Sequence, residues 1–135
     1  MPIPTEINLH KKSKVLSIKF DDDVEYNLSC EFLRVHSPSA EVQGHGPGQG
    51  VLQLGKEDVT IEKIDPVGNY AVCLHFDDGH KTGIFSWDTL YNMGNNYNEI
   101  WQDYLKKLEE KGYERKTNRL GIKPTKEFNI TPKEL

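Results

Sequence analysis

Tyr70-Ala71-Val72-Cys73-Leu74-His75-Phe76-Asp77-Asp78-Gly79-His80-Lys81-Thr82-Gly83-Ile84-Phe85 is the stretch whose reading decides the fold. Tyr70 to Phe76 is rich in apolar residues and reads as a strand. Asp78-Gly79 is a strong hairpin signal, because glycine takes positive φ without steric cost, and a type I′ turn is the expected geometry. Thr82 to Phe85 returns as the partner strand. Ser86 then caps a short helix with Asp88 in its first turn, where a side-chain oxygen and a negative charge both suit the unpaired N–H groups.

The same order occurs earlier in the chain. Ser13 to Phe20 alternates, with Val15, Leu16, Ile18 and Phe20 among Ser and Lys, and reads as a half-buried strand. Asp21-Asp22-Asp23 is a turn, Val24 to Leu28 a partner strand, and Ser29 caps a short helix carrying Glu31, Phe32 and Leu33. Both segments read turn, strand, Ser cap, acid, Leu. Convergence on common turn and cap chemistry explains this, and so does an internal repeat. Two hairpin-plus-helix units predict an α+β fold: a β-rich single domain of antiparallel hairpins with short helices.

Ser37 to Gly50 is rich in Ser, Pro and Gly and reads as a loop with Gly44-His45-Gly46-Pro47-Gly48 at its tip. Val51 to Ile64 carries two short alternating runs around a turn at Gly55-Lys56, and Pro66-Val67-Gly68-Asn69 is another turn. Tyr97 to Lys111 is the one longer helix, C-terminal in the domain. Ile100, Trp101, Tyr104, Leu105 and Leu108 form its apolar stripe, and Gly112 suits its stop. These elements predict an N-terminal arm over 1–12, a domain over 13–112 and a polar C-terminal tail over 113–135.

With 135 residues, 36% hydrophobic and 28% charged, the chain suits one core without disulfide staples. The net charge of -4 argues against nucleic-acid binding, which needs a basic face. Cys30 and Cys73 are the only cysteines and lack Cys-x-x-Cys spacing, so they read as lone thiols in a reducing compartment. The start, Met1 to Glu6, lacks the basic and apolar regions of a signal peptide, and no apolar run approaches a membrane span. A cytoplasmic setting is the expectation.

Several residues are candidates for chemistry. His75-Phe76-Asp77 supplies two thirds of an iron(II) facial triad, but His80 is the last histidine and lies in the same turn. The alternative is a strand end with a solvated face. His80 is either a polar residue beside the turn or a metal ligand. With His36 and His45 it is enough for a zinc or iron site. Cys30, at a helix start, is a candidate nucleophile of lowered pKa or else a packed core thiol. No Gly-x-Ser-x-Gly elbow occurs, and the glycines of 44–50 lack the Gly-Lys-Ser/Thr ending of a phosphate loop. Trp87, Tyr91, Tyr97, Trp101 and Tyr104 supply core, and any exposed subset marks a partner surface.

Three blocks together carry a family resemblance: Leu33-Arg34 with Ser37-Pro38-Ser39-Ala40-Glu41, then Ile64 to Tyr70, then Phe76 to Trp87. Over roughly Lys14 to Lys111 the chain resembles the domain at the N-terminus of gamma-butyrobetaine hydroxylase. In that enzyme the domain precedes a separate iron- and 2-oxoglutarate-dependent catalytic domain, so the resemblance implies no oxygenase activity for this chain. In hydroxylase-type domains three cysteines and the histidine of Asp-Gly-His hold zinc. The matching positions are Ser37, Ser39, Val42 and His80, of which the histidine alone is a zinc ligand by type. Similar domains stand alone in bacteria or beside P-loop ATPases implicated in iron–sulfur cluster assembly. The resemblance thus implies a non-catalytic accessory module whose partner is such an ATPase or an oxygenase, or a metal-binding module serving that assembly or a separate oxygenase. The expected contact surface is Asp77, Asp78, Gly79, His80 and Trp87.

Overall fold

The computed structural model of the chain describes residues 2–44 and 50–116. Strands β1 (Pro4–His10), β2 (Val15–Phe20) and β3 (Glu25–Ser29) form an antiparallel sheet in that order. Strands β4 (Ile61–Val67), β5 (Ala71–Phe76) and β6 (Gly83–Ser86) form a second sheet of the same kind. Helices α1 (Cys30–Val35) and α2 (Ala40–Gln43) follow the first sheet, and α3 (Trp87–Asn95) and α4 (Tyr97–Lys111) follow the second. The α+β class and a helix after each hairpin agree with the sequence.

Several turn, cap and register features recur in the two halves. Phe20 N–H donates to Val24 O at 2.9 Å, and Phe76 N–H to His80 O at 2.8 Å. Asp23 N–H donates to Phe20 O at 3.0 Å, and Gly79 N–H to Phe76 O at 3.2 Å. Asp22 and Asp78 each turn a carboxylate back to the second N–H onward, Val24 at 3.0 Å and His80 at 3.1 Å. Ser29 Oγ accepts from Phe32 N–H at 3.0 Å and Ser86 Oγ from Thr89 N–H at 3.1 Å. Even the irregularity at the far end of each first strand recurs, between Pro4 and Glu6 and between Ile61 and Lys63. Common turn chemistry explains a turn or a cap, but not a shared register defect, so an internal repeat accounts for the pattern better.

Positive φ falls on Asp23 (67°) and Gly79 (91°), each the third residue of its turn, and on neither Asp77 nor Asp78. Both turns are therefore three-residue loops ending in a left-handed residue, and the type I′ expectation is corrected. That left-handed slot is why glycine suits position 79.

The sheets share one core. Leu16, Ile18, Phe20 and Leu28 from the first meet Ile61, Val72, Leu74, Phe76 and Phe85 from the second, with Phe32, Leu33 and Leu90 from the helices. Burying each such large side chain stabilises the fold by roughly 1.5–3 kcal/mol. The stripe of α4 packs as its period predicts, and Tyr104 and Leu108 join Val35 in a second cluster. Gly112 ends α4 in the left-handed conformation at φ 79°.

Five local readings change or are sharpened. Residues 4–10, read as part of an arm, form β1, because Ile7 and Leu9 reach the core and Pro4 takes the first strand position, where proline is tolerated. Ala40–Gln43 form a one-turn helix inside the expected loop. Residues 51–60 carry no strand. Pro66 and Val67 belong to β4, which confines the turn to Gly68 (φ 56°), Asn69 and Tyr70. Arg115, placed in the tail, docks on Glu31 (Nε to Oε2, 2.9 Å) and lies 5.1 Å over the Trp101 ring. Residues 117–135 lie outside the described residues. No helix among the described residues is long and apolar enough to cross a membrane.

Candidate functional site

His80 is the first residue after the β5–β6 turn, in the place that Val24 holds in the first half. Its side chain is 1% exposed. Nε2 lies 3.0 Å from Ser37 Oγ and 3.3 Å from Ser39 Oγ. Those hydroxyls are brought there by the end of α1 and the start of α2. Ser37 N–H donates to Arg34 O as α1 closes, and Ser39 O accepts from Val42 and Gln43 N–H as α2 opens. Ser39 N–H donates to Ser37 Oγ at 3.4 Å, and Gln43 Nε2 donates to Ser37 O at 3.0 Å.

Gly83 makes the room. A Cβ there would lie 2.5 Å from Ser37 Oγ. In the first half the corresponding close approach is reversed, with the Tyr26 ring covering Gly94, where a Cβ would meet it at 2.2 Å. One half fills the space with an aromatic ring. The other leaves it for two hydroxyls and an imidazole.

Charged groups surround this pocket. Asp78 Oδ2 accepts from Arg34 Nε at 2.8 Å and from Lys56 Nζ at 2.6 Å. Burial pushes the Asp78 carboxyl up, but the hydrogen bonds from Lys56, from His80 N–H and from Arg34 outweigh it and hold it below its ordinary value. His80 is held below its ordinary value by burial first and then by the Arg34 charge. Nδ1 of His80 is buried without a hydrogen-bond partner and lies 3.6 Å from Glu41 Oε2. Glu41 accepts from Thr82 Oγ1 at 2.8 Å.

The structure thus brings together Ser37, Ser39 and His80, with Val42 buried one turn beyond Ser39 on α2. Their spacing suits a metal but their chemistry does not. Neutral hydroxyls are poor zinc ligands and a valine is none. Among the described residues no group of three or more His, Cys, Asp or Glu is arranged to hold a metal ion. His36 is engaged elsewhere: Nδ1 is 2.9 Å from Phe32 O, and its ring packs on Phe32 and Tyr104. Burial lowers its pKa. His45 lies outside the described residues.

The other candidates separate. His75 Nε2 meets Asp65 Oδ2 at 2.8 Å across β4 and β5, while Asp77 Oδ1 accepts from Thr60 N–H, so they do not act as a pair. Cys30 is fully buried and burial raises its pKa, opposite to the lowering expected at a helix start. Cys73 is half-buried and its Sγ–H points to Lys81 O. Trp87 is half-buried, with its indole N–H on Asn69 O at 2.8 Å. Of the expected contact surface, Asp77 and Gly79 are exposed, Asp78 is neutralised by two cations, and His80 is enclosed.

Sequence reasoning did not single out Arg34, Glu41, Lys56 or Thr82, whose pairings span long stretches of chain. A glycine inside a strand signals close approach, so Gly83 was findable. His10, Ser17 and Asn27 also cluster, on the first sheet. Ser17 Oγ–H goes to Asn27 Oδ1 at 2.6 Å, so the hydroxyl proton does not lie toward His10, 3.0 Å away, as a base-activated nucleophile would require.

Comparison with known proteins finds similar chains and folds. A rice protein, the chloroplastic Fe-S cluster assembly factor HCF101 of Oryza sativa subsp. japonica, is 30% identical over 80 residues. That match covers 57% of this chain and only 15% of the rice protein's length. An NMR solution structure superimposes with a TM-score of 0.74 at 49% identity, covering 85% of this chain and 86% of the other. A crystal structure of a DUF971-family protein of unknown function from Acidithiobacillus ferrooxidans gives 0.57 at 38% identity, covering 67% and 91%. The family described as gamma-butyrobetaine hydroxylase-like, N-terminal, matches residues 7–91, from β1 into α3. The chain belongs to the gamma-butyrobetaine hydroxylase-like N-terminal domain family.

Proposed function

We propose that this domain is a non-catalytic accessory module that binds a protein partner. One observation carries the reading: the Cys30 thiol, the His80 imidazole and the Ser17 hydroxyl are each engaged or enclosed. The Cys30 thiol is buried and harder to ionise, His80 is shut behind Ser37 and Ser39, and Ser17 gives its proton to Asn27. A small set of exposed apolar side chains remains. On the second sheet these are Tyr70, 61% exposed, and Ile84, 49% exposed, with half-buried Trp87 held to Tyr70 through the backbone. Aromatic and aliphatic groups of this kind anchor interfaces.

The rice relative, in which a similar segment forms a small part of an Fe-S cluster assembly factor, supports looking for the partner in iron–sulfur assembly. A P-loop ATPase of iron–sulfur assembly is the first partner to test, and an oxygenase lacking this domain the second. Co-purification of the full chain with each tests the proposal. A complex that forms with one, and is lost on Tyr70→Asp or Ile84→Asp, supports it. Turnover of a betaine by the purified chain with iron(II) and 2-oxoglutarate would overturn it.

A further inference from the structure

We infer that a hydrogen-bonded clasp, His80 with Ser37 and Ser39, does in this chain the work that the family resemblance assigns to a bound zinc ion. The inference concerns the inside of the domain and stands apart from the choice of partner.

A tetrahedral zinc with bonds of about 2.0–2.3 Å holds its ligand atoms about 3.3–3.8 Å apart. Here Ser37 Oγ and Ser39 Oγ are 3.4 Å apart, and His80 Nε2 lies 3.3 Å from one and 3.0 Å from the other. Three vertices of a ligand tetrahedron are thus close to metal spacing. Val42, one turn further along α2, is the buried side chain nearest to a fourth in sequence terms. The frame has the size of a metal site.

A serine hydroxyl is neutral at pH 7, whereas zinc selects thiolate, imidazole and carboxylate. The hydroxyls instead lie within hydrogen-bond distance of the ring nitrogen and of each other. That ties the α1–α2 connection to the β5–β6 turn, the same two segments a metal would join. Gly83 keeps the space open, and both serines and the histidine are at least nine-tenths buried, so water does not compete for these bonds. The clasp is neutral where a zinc thiolate centre would be charged.

The test uses the full chain, purified without a tag after growth with added zinc. Far less than one zinc per chain, and a Tm unchanged by a strong chelator, is the expected result. One tightly held zinc, with a Tm that falls on chelation, would overturn the inference. The triple variant Ser37→Cys/Ser39→Cys/Val42→Cys is expected to take up one zinc and to become chelator-sensitive. If it folds and takes up none, the claim that the metal frame persists is overturned. Ser37→Ala gives a reading independent of that variant. It is expected to lower Tm by roughly 4–8 °C and to speed amide exchange at Val42 and Gln43, whose N–H groups bond Ser39 O. Unchanged exchange there would overturn the clasp.

Discussion

Arg34 Nε donates to Asp78 Oδ2 at 2.8 Å, and this bond crosses from the first half of the repeat to the second. Its counterpart crosses back: Tyr91 Oη donates to Asp22 Oδ2 at 2.6 Å. Arg34 and Tyr91 stand at the same place past their serine caps, and Asp22 and Asp78 at the same place in their turns. Each helix closes the other half's turn. The Asp22 contact pushes the Tyr91 hydroxyl up to about 12.

Arg34→Met is expected to cost about 2–3 kcal/mol, because it strips a nearly buried cation from a carboxylate left with Lys56 and the His80 N–H. Urea unfolding should show a lower midpoint at unchanged slope. Tyr91→Phe should cost less, since that pair lies at the surface. A variant at Arg34 as stable as the parent would show that the crossed bond adds nothing.

Stability should fall as pH drops below the ordinary histidine value of 6.5. His80 and His36 both have folded-state values below it, from burial first, with the Arg34 charge adding at His80 and Lys107 at His36, while Glu41, Asp78 and Asp103 oppose. The unfolded chain therefore binds more protons in that window, and unfolding free energy rises with pH until it levels above 6.5. Denaturation at a series of pH values from neutral into the acid range reads the slope. His36→Gln should flatten part of it, and a slope unchanged in that variant would assign the effect to other groups.

Gly83→Ala should destabilise by roughly 1–3 kcal/mol through overpacking, since its Cβ would sit 2.5 Å from Ser37 Oγ. Ser37→Gly in the same chain copies the small residue that faces Tyr26 in the first half. It should return part of the loss. A double-mutant cycle with no coupling would contradict the contact.

Removing Arg115 should cost about 3 kcal/mol, because the Glu31 side chain is 8% exposed and would keep its charge without its partner. Thermal unfolding of Arg115→Ala measures this. Adding Glu31→Gln should recover part of the stability, and near-ultraviolet dichroism should change as the guanidinium leaves the Trp101 face.

Much of the fold was legible because its signals are local. Aspartates and glycine at the turns, serines before the helices and the period of α4 each act within a few residues. Strand β1 was not legible, since Pro2 and Pro4 mark it as irregular while its pairing with β2 is set by Ile7 and Leu9 meeting a core assembled from elsewhere. The run over 51–60 alternates like a strand but pairs with none. At the site, His80 was legible from its turn and Ser37 and Ser39 from family likeness. Arg34, Glu41 and Lys56 were not, because ion pairing between distant segments leaves no periodic trace. The lowered pKa foreseen for Cys30 failed because a six-residue helix offers its dipole where the core withholds water.

The crossed bonds from Arg34 and Tyr91 also bear on how the domain comes apart. Each half lends a side-chain donor to the other half's turn, and the two sheets bury their apolar faces on each other. Opening one half therefore strips the other, so partial unfolding gains no stable resting point. Amide protons in the middle of β2 and of β5 should exchange through one shared global event, at a common free energy, although they belong to different sheets.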